Sequence, residues 1–293
     1  MILDEVTLRK LTRLTLASAR VRAGMVKGER RSTRRGSSLE FADYRNYTPG
    51  DDLRRLDWNV YARLDRPFLR LFEEEEDLAA HILVDASRSM DWGEGDQHKF
   101  SYAIRLAAAL GAIALASGDQ VRVAPVARGK TSRPFGPARG QAQTLRLFTY
   151  LESLLPGGIT DLNRALRDYA LAGQRPGLVF LISDLFSPDG FMDGLAQLRG
   201  RGHEIVILHL LSPDEIDPPL AGDLRLMDVE TGQSQEVSMD AELRDLYRQR
   251  VQAWMGGTQA DCLRRGVRYL SINTSAAWDK TVLQEMRRAF ILR

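Results

Sequence analysis

Two short apolar runs, each stopping at an aspartate, set the limits on what this chain can fold into. Ile82, Leu83 and Val84 lead into Asp85, and the run from Gly177 to Ser183 leads into Asp184. Runs so short and so uniformly apolar predict strands buried on both faces, the pattern of parallel sheets covered by helices. The stretches around them alternate in kind. Helices are predicted over residues 100–117, 145–155, 191–199 and 240–265, with another after Asp161 and a closing one over 280–292. Strands are predicted over 121–126, near 131–135, over 204–210 and over 267–272. Residues 224–237, broken at Thr231-Gly232, read as an inserted β-hairpin. The expected fold is α/β: a doubly wound, mainly parallel six-stranded sheet flanked by helices, over residues 78–293, with the hairpin inserted at about 224–238.

Residues 1–77 read as a separate amino-terminal extension, part helical and part irregular. Leu8, Leu11, Leu14, Leu16 and Val21 recur at roughly helical spacing, which predicts one amphipathic helix over 3–26. Residues 28–38 have the Gly, Ser and Arg content of a loop. The first 35 residues carry ten Lys/Arg against Asp4, Glu5 and Glu29, in a chain whose net charge is only +2. Beyond them, Pro49-Gly50 predicts a turn, and Asp51 or Asp52 is placed to cap a helix carrying Leu53, Leu56 and Val60. Arg45, Arg54, Arg63, Asp52 and Asp57 could form an ion-pair network, residues 68–72 alternate like an edge strand, and 73–76 read as a turn. Cys262 is the only cysteine, which excludes a disulfide framework and a cysteine metal cage and suits a reducing compartment. The longest apolar run, 106–116, is too short to span a bilayer, and no signal-peptide core is legible, so a cytoplasmic protein is expected.

Function is expected where the two aspartates meet. If the strands before Asp85 and Asp184 are neighbours, the winding reverses between them and their carboxyl ends flank the crevice where open α/β sheets bind ligands. Asp85, Ser87 and Ser89 then stand at one strand end and Asp184 at the other, and the 158–161 loop can bring in Thr160. All five side chains offer oxygen, the donor that hard cations such as Mg²⁺ take. The D-x-S-x-S spacing alone recurs by chance; its weight comes from the other two segments.

Asp85-x-Ser87-x-Ser89, Thr160 within Gly-Gly-Ile-Thr-Asp-Leu, and Asp184 after an apolar strand resemble the metal-ion-dependent adhesion site of von Willebrand factor A domains. The resemblance implies that Ser87, Ser89 and Thr160 ligate Mg²⁺, or another divalent cation, directly, while Asp85 and Asp184 hold its waters. The block Tyr44-Arg45-x-Tyr47-x-x-Gly50-Asp51-Asp52-x-Arg54-x-x-Asp57-Trp58, followed by Ala62-Arg63, resembles the signature of the bacterial domain-of-unknown-function 58 family. Genes of that family commonly accompany MoxR-type AAA+ ATPases, which implies such an ATPase as partner. Together the two resemblances imply a non-enzymatic, Mg²⁺-dependent protein-interaction module, an adaptor in chaperone-like assembly or maturation. An ion held mainly by neutral hydroxyls stays electrophilic, so an Asp or Glu of another protein can complete its shell.

Two other classes remain open. A metal-dependent phosphoesterase or nuclease would use Asp85, Asp91, Asp161 and Asp184, although it would want carboxylates where Ser87 and Ser89 stand. Nucleic-acid binding through the basic arm would lack stacking partners, because residues 1–40 contain no aromatic side chain. Gly129-Lys130-Thr131 imitates a phosphate loop but is followed by Arg133-Pro134, not by a helix start. His81, His98, His203 and His209 lack zinc-type spacing, and His81 and His209 fall within predicted strands.

Overall fold

The structure is a computed structural model and describes residues 2–18, 40–49, 51, 53, 56–73, 78–126, 133–159, 161–219, 222–227 and 232–293. The basic 28–38 loop, Gly129-Lys130-Thr131, Gly50, Asp52, Arg54 and Thr160 lie outside the described residues. Helix α1, Glu5–Leu11, starts at Asp4, whose carboxylate accepts the Thr7 amide at 2.8 Å. It is far shorter than the helix expected over 3–26. Leu14, Leu16 and Ala17 are buried in extended backbone that pairs with the carboxyl terminus, through Thr15 N–H to the Arg293 carbonyl, its reciprocal, and Ala17 N–H to the Ile291 carbonyl. That pairing satisfies backbone groups a longer helix would have satisfied internally, so tertiary context overrides the leucine periodicity. Residues 1–17 therefore belong with 78–293 in one compact unit, and 18–77 form a second.

Within the second unit, β1 (Glu40–Asn46) pairs antiparallel with β2 (Phe68–Glu73), and α2 (Trp58–Leu64) lies between them in sequence. The cap of α2 is Asp57, not Asp51: its Oδ1 accepts the amides of Asn59 and Val60, and its Oδ2 accepts the Tyr44 hydroxyl at 3.0 Å. Asp51 instead closes the turn before it, accepting the Thr48 amide and hydroxyl and pairing with Arg45 at 2.7 Å. The Thr48 hydrogen bonds, then Arg45, hold its carboxyl down at about 2.

The main unit is built on β3 (Ala79–Asp85), α3 (Lys99–Ala116), β4 (Gln120–Val126), β5 (Phe135–Arg139), α4 (Thr144–Glu152), α5 (Leu162–Leu171), β6 (Leu178–Ser183), α6 (Met192–Gly200) and β7 (Glu204–Leu211). The chain continues through the short helix α7 (Pro213–Ile216), the hairpin β8 (Gly222–Met227) and β9 (Ser234–Met239), the long helix α8 (Ala241–Arg264) and β10 (Arg268–Asn273). The six-stranded sheet has the order β10-β7-β6-β3-β4-β5, parallel throughout except for β5. β5 starts at Phe135, where the strand expected near 131–135 should end. The closing helix is shorter than 280–292: three helical turns, one of them π-type, run from Trp278–Lys280 to Met286–Arg288, and the last residues leave to pair with the amino terminus.

Side chains alternate across the sheet as a strand period of two requires. Ile82 and Val84 face α3 and α4 in the larger core, while Leu83, Leu181 and Ile207 face α5 and α6 in the smaller one. Helix α3 has the length and apolar content to cross a membrane, yet nearly all its residues are buried in the larger core. Gly256 and Gly257 lie exposed in mid-α8, where an added Cβ meets nothing within 4 Å. Replacing both with Ala should raise stability by about 1 to 2 kcal/mol, because glycine disfavours helix interiors by up to about 1 kcal/mol each. Urea unfolding reads this directly, and a loss of stability would show that α8 needs those glycines for another reason.

Candidate metal site at the carboxyl edge of the sheet

β3 and β6 are hydrogen-bonded neighbours, with Ala80 opposite Leu178 and Val84 opposite Ile182. From β3 the chain moves to β4 on one side, and from β6 to β7 on the other. The winding reverses between them, and beyond the carboxyl ends of such a strand pair lies the crevice where open α/β sheets bind ligands. Asp85 stands at that point and is fully buried. Its Oδ1 accepts the Ser87 amide at 2.9 Å and its Oδ2 accepts the Ser183 hydroxyl at 2.6 Å. Burial, reinforced by the negative charge of Asp184, pushes its carboxyl up to about 7. The Ser87 and Ser89 hydroxyls are hydrogen-bonded to each other, with their oxygens 3.0 Å apart. The 157–158 turn is pinned to this loop by Arg88 N–H to the Gly158 carbonyl and Gly157 N–H to the Ala86 carbonyl.

Asp184 is equally buried. Its Oδ1 accepts the Phe186 amide at 3.1 Å, and Leu185 between them takes the left-handed conformation, φ 60°, uncommon outside glycine. Its Oδ2 accepts from Lys99 Nζ at 2.7 Å. Lys99, at the start of α3, is completely buried and also reaches Glu215 Oε1 at 2.6 Å. Glu215 closes a capping box at α7, where its Oε2 accepts the Ser212 amide at 2.8 Å. Phe186 lies 5.3 Å below the ammonium and stacks on Trp254.

The structure thus brings Asp85, Ser87, Ser89 and Asp184 to one crevice. It adds three polar residues that sequence reasoning passes over: Ser183, Lys99 and Glu215. The Ser212-x-x-Glu215 capping pattern is visible in the sequence; its contact with Lys99, 116 positions away, is not. Asp91 and Asp161 point to other work. Asp91 pairs with His98 at 3.1 Å, and Asp161 caps α5 through the Arg164 amide.

Two oxygens in adjacent positions around an octahedral Mg²⁺, each at about 2.1 Å, are about 3 Å apart. The Ser87–Ser89 pair matches that spacing, and each oxygen of Asp85 and Asp184 keeps a lone pair beyond its present bond. The donor set fits a cation resting on hydroxyls and steadied by carboxylates. Among the described residues no three His, Cys, Asp or Glu side chains converge to form a metal cage.

Residues 43–254 match the profile of the family described as "Protein of unknown function DUF58". Uncharacterized proteins of Mycobacterium bovis and Mycobacterium tuberculosis are each 30% identical over 258 residues, covering 87% of this chain and 81% of theirs. Among solved structures, BatB from Bacteroides thetaiotaomicron is 14% identical with a TM-score of 0.42, covering 72% of this chain and 98% of its own. An aerotolerance-related membrane protein from Bacteroides fragilis is 17% identical with a TM-score of 0.43, covering 72% of this chain and 99% of its own. A profile match over most of the chain, with the relatives' coverage extending beyond it, makes this chain a member of the DUF58 family.

Proposed function

We propose that the chain is a non-enzymatic, Mg²⁺-dependent protein-interaction module of von Willebrand factor A type, working as an adaptor with a MoxR-type AAA+ ATPase. The observation that carries the metal reading is the pair of crevice hydroxyls, Ser87 and Ser89, at the spacing of adjacent Mg²⁺ ligands, backed by two buried aspartates. Bound there, Mg²⁺ would supply an electrophilic position for a carboxylate of another protein. Ser87 and Ser89 would hold it directly, Asp85 and Asp184 through water, and Thr160 is the remaining hydroxyl. The ATPase partner rests on the family resemblance. A hydrolytic centre is less well supplied, since Asp91 and Asp161 serve His98 and the α5 amides.

A pull-down with a MoxR-type ATPase should retain the partner in millimolar Mg²⁺. It should lose most of it in EDTA and in Ser87→Ala/Ser89→Ala, with the fold unchanged by circular dichroism. Retention under all these conditions would rule out the metal clasp, and phosphoester hydrolysis abolished by Asp85→Asn would replace the adaptor reading with a catalytic one.

A further inference from the structure

Lys99 sits where a lysine is costly in two ways. It is completely buried, and it occupies the first turn of an 18-residue helix, the positive end of the helix dipole. Its compensation is complete: Asp184 at 2.7 Å, Glu215 at 2.6 Å and the face of Phe186 at 5.3 Å. These contacts join three segments: the start of α3, the loop after β6 and the turn after β7. All border the crevice that holds Ser87 and Ser89. Asp184, the carboxylate expected to steady a divalent ion, is thus already committed to a fixed positive charge from the chain itself.

Resting on the metal reading above, we infer that the Lys99 ammonium is the crevice's resident cation: it keeps the crevice folded without metal and holds its affinity for divalent ions low. Affinity at oxygen sites follows the charge its ligands supply. With Lys99 neutralising Asp184, the crevice binds Mg²⁺ firmly only when an incoming carboxylate adds the missing negative charge. Metal and acidic partner then bind cooperatively, each strengthening the other by the same factor. Glu215 has a defined part: it shares the ammonium, so removing its charge leaves Lys99 bearing harder on the site.

The experiment measures Mg²⁺ binding by calorimetry and Mn²⁺ binding by electron paramagnetic resonance on the full chain, with thermal unfolding in EDTA and in Mg²⁺. Lys99→Met should unfold about 10 °C lower than wild type in EDTA, because the buried Asp184 and the half-buried Glu215 lose their partner. It should bind Mg²⁺ and Mn²⁺ about tenfold or more tightly, and Mg²⁺ should restore much of the lost thermal stability. Lys99→Arg keeps the charge and should leave metal affinity within about threefold of wild type. Glu215→Gln, which keeps the native lysine and tests the idea even if Lys99→Met fails to fold, should bind either metal severalfold more weakly. Equal metal affinity in wild type, Lys99→Met and Glu215→Gln, with binding lost in Ser87→Ala/Ser89→Ala, would overturn the role of Lys99 and leave the metal site standing. Binding that survives Ser87→Ala/Ser89→Ala, or is absent from wild type and Lys99→Met alike, would overturn the metal reading and this inference with it.

Discussion

In metal-free buffer, Asp85→Asn should lose about 4 kcal/mol of stability between pH 7 and pH 5, at about 2 kcal/mol for each of two histidines, while the wild type loses much less. The loss comes from His81 and His209, both buried in the sheet. They are held alike. In each, Nε2–H donates to a backbone carbonyl, of Arg175 for His81 and of Asp184 for His209, both at 2.9 Å. In each, Nδ1 then accepts from a tyrosine hydroxyl, Tyr169 or Tyr269. A carbonyl can only accept, so the neutral tautomer is set, and burial pushes both imidazoles down to about 4. Between pH 6.5 and about 4 the unfolded imidazoles take up protons that the folded ones refuse, so stability falls with pH across that window.

Asp85 acts in the opposite sense. Burial and the charge of Asp184 raise its carboxyl to about 7, so between about 7 and 3.8 the folded state holds a proton the unfolded chain has released. Its contribution is present in full below 3.8 and is lost as pH rises through 7, which offsets the histidines as the solution is acidified. Asparagine keeps the shape and removes that offset. Urea unfolding of wild type and Asp85→Asn in EDTA at both pH values tests the balance, and adding His81→Gln to Asp85→Asn should halve the fall. If Asp85→Asn were no more acid-sensitive than wild type, Asp85 would be carrying an ordinary carboxylate charge in the crevice.

How far the fold and the crevice are legible in the sequence depends on what each residue answers to. β3 and β6 are readable because a strand buried on both faces must be apolar throughout, and their neighbours are helices of ordinary length. The helix expected over 3–26 stops early because Leu14 and Leu16 serve a backbone pairing with residues 291–293, a partner no local period announces. The cap of α2 falls to Asp57 because the helix begins only at Trp58, beyond the reach of Asp51, which accepts from Thr48 and Arg45 instead. Asp85, Ser87 and Ser89 stand out through local spacing, and Asp184 by ending an apolar run. Lys99 and Glu215 do not, since each has an unremarkable place in a helix and only the sheet order brings them together.

The contact between β3 and β6, on which the crevice depends, should fail at a residue with no polar side chain. Gly177, just before β6, lies so close to β3 that a Cβ built on it would be 2.0 Å from the Ala79 carbonyl oxygen and 2.8 Å from the Ala79 Cβ. Its backbone is committed on both sides, with its N–H to His203 Nδ1 at 3.3 Å and its carbonyl accepting the Glu204 amide at 2.9 Å. Neither strand can move away without breaking a ladder of the central sheet, because β3 is also paired with β4 and β6 with β7. Gly177→Ala should therefore cost about 3 kcal/mol, the upper end for overpacking a core, even though alanine is otherwise better tolerated in a strand than glycine. If the proposed metal reading holds, it should also weaken Mg²⁺ binding, since the shifted strand carries Asp184 at its far end. Gly173→Ala, at φ 66° with nothing within 4 Å, is the control for strain without a clash and should cost only about 1 kcal/mol. Equal losses in the two variants would mean that β3 and β6 can part at their amino ends without cost. The crevice would then be held by its own hydrogen bonds and by Lys99, not by the spacing of the strands beneath it.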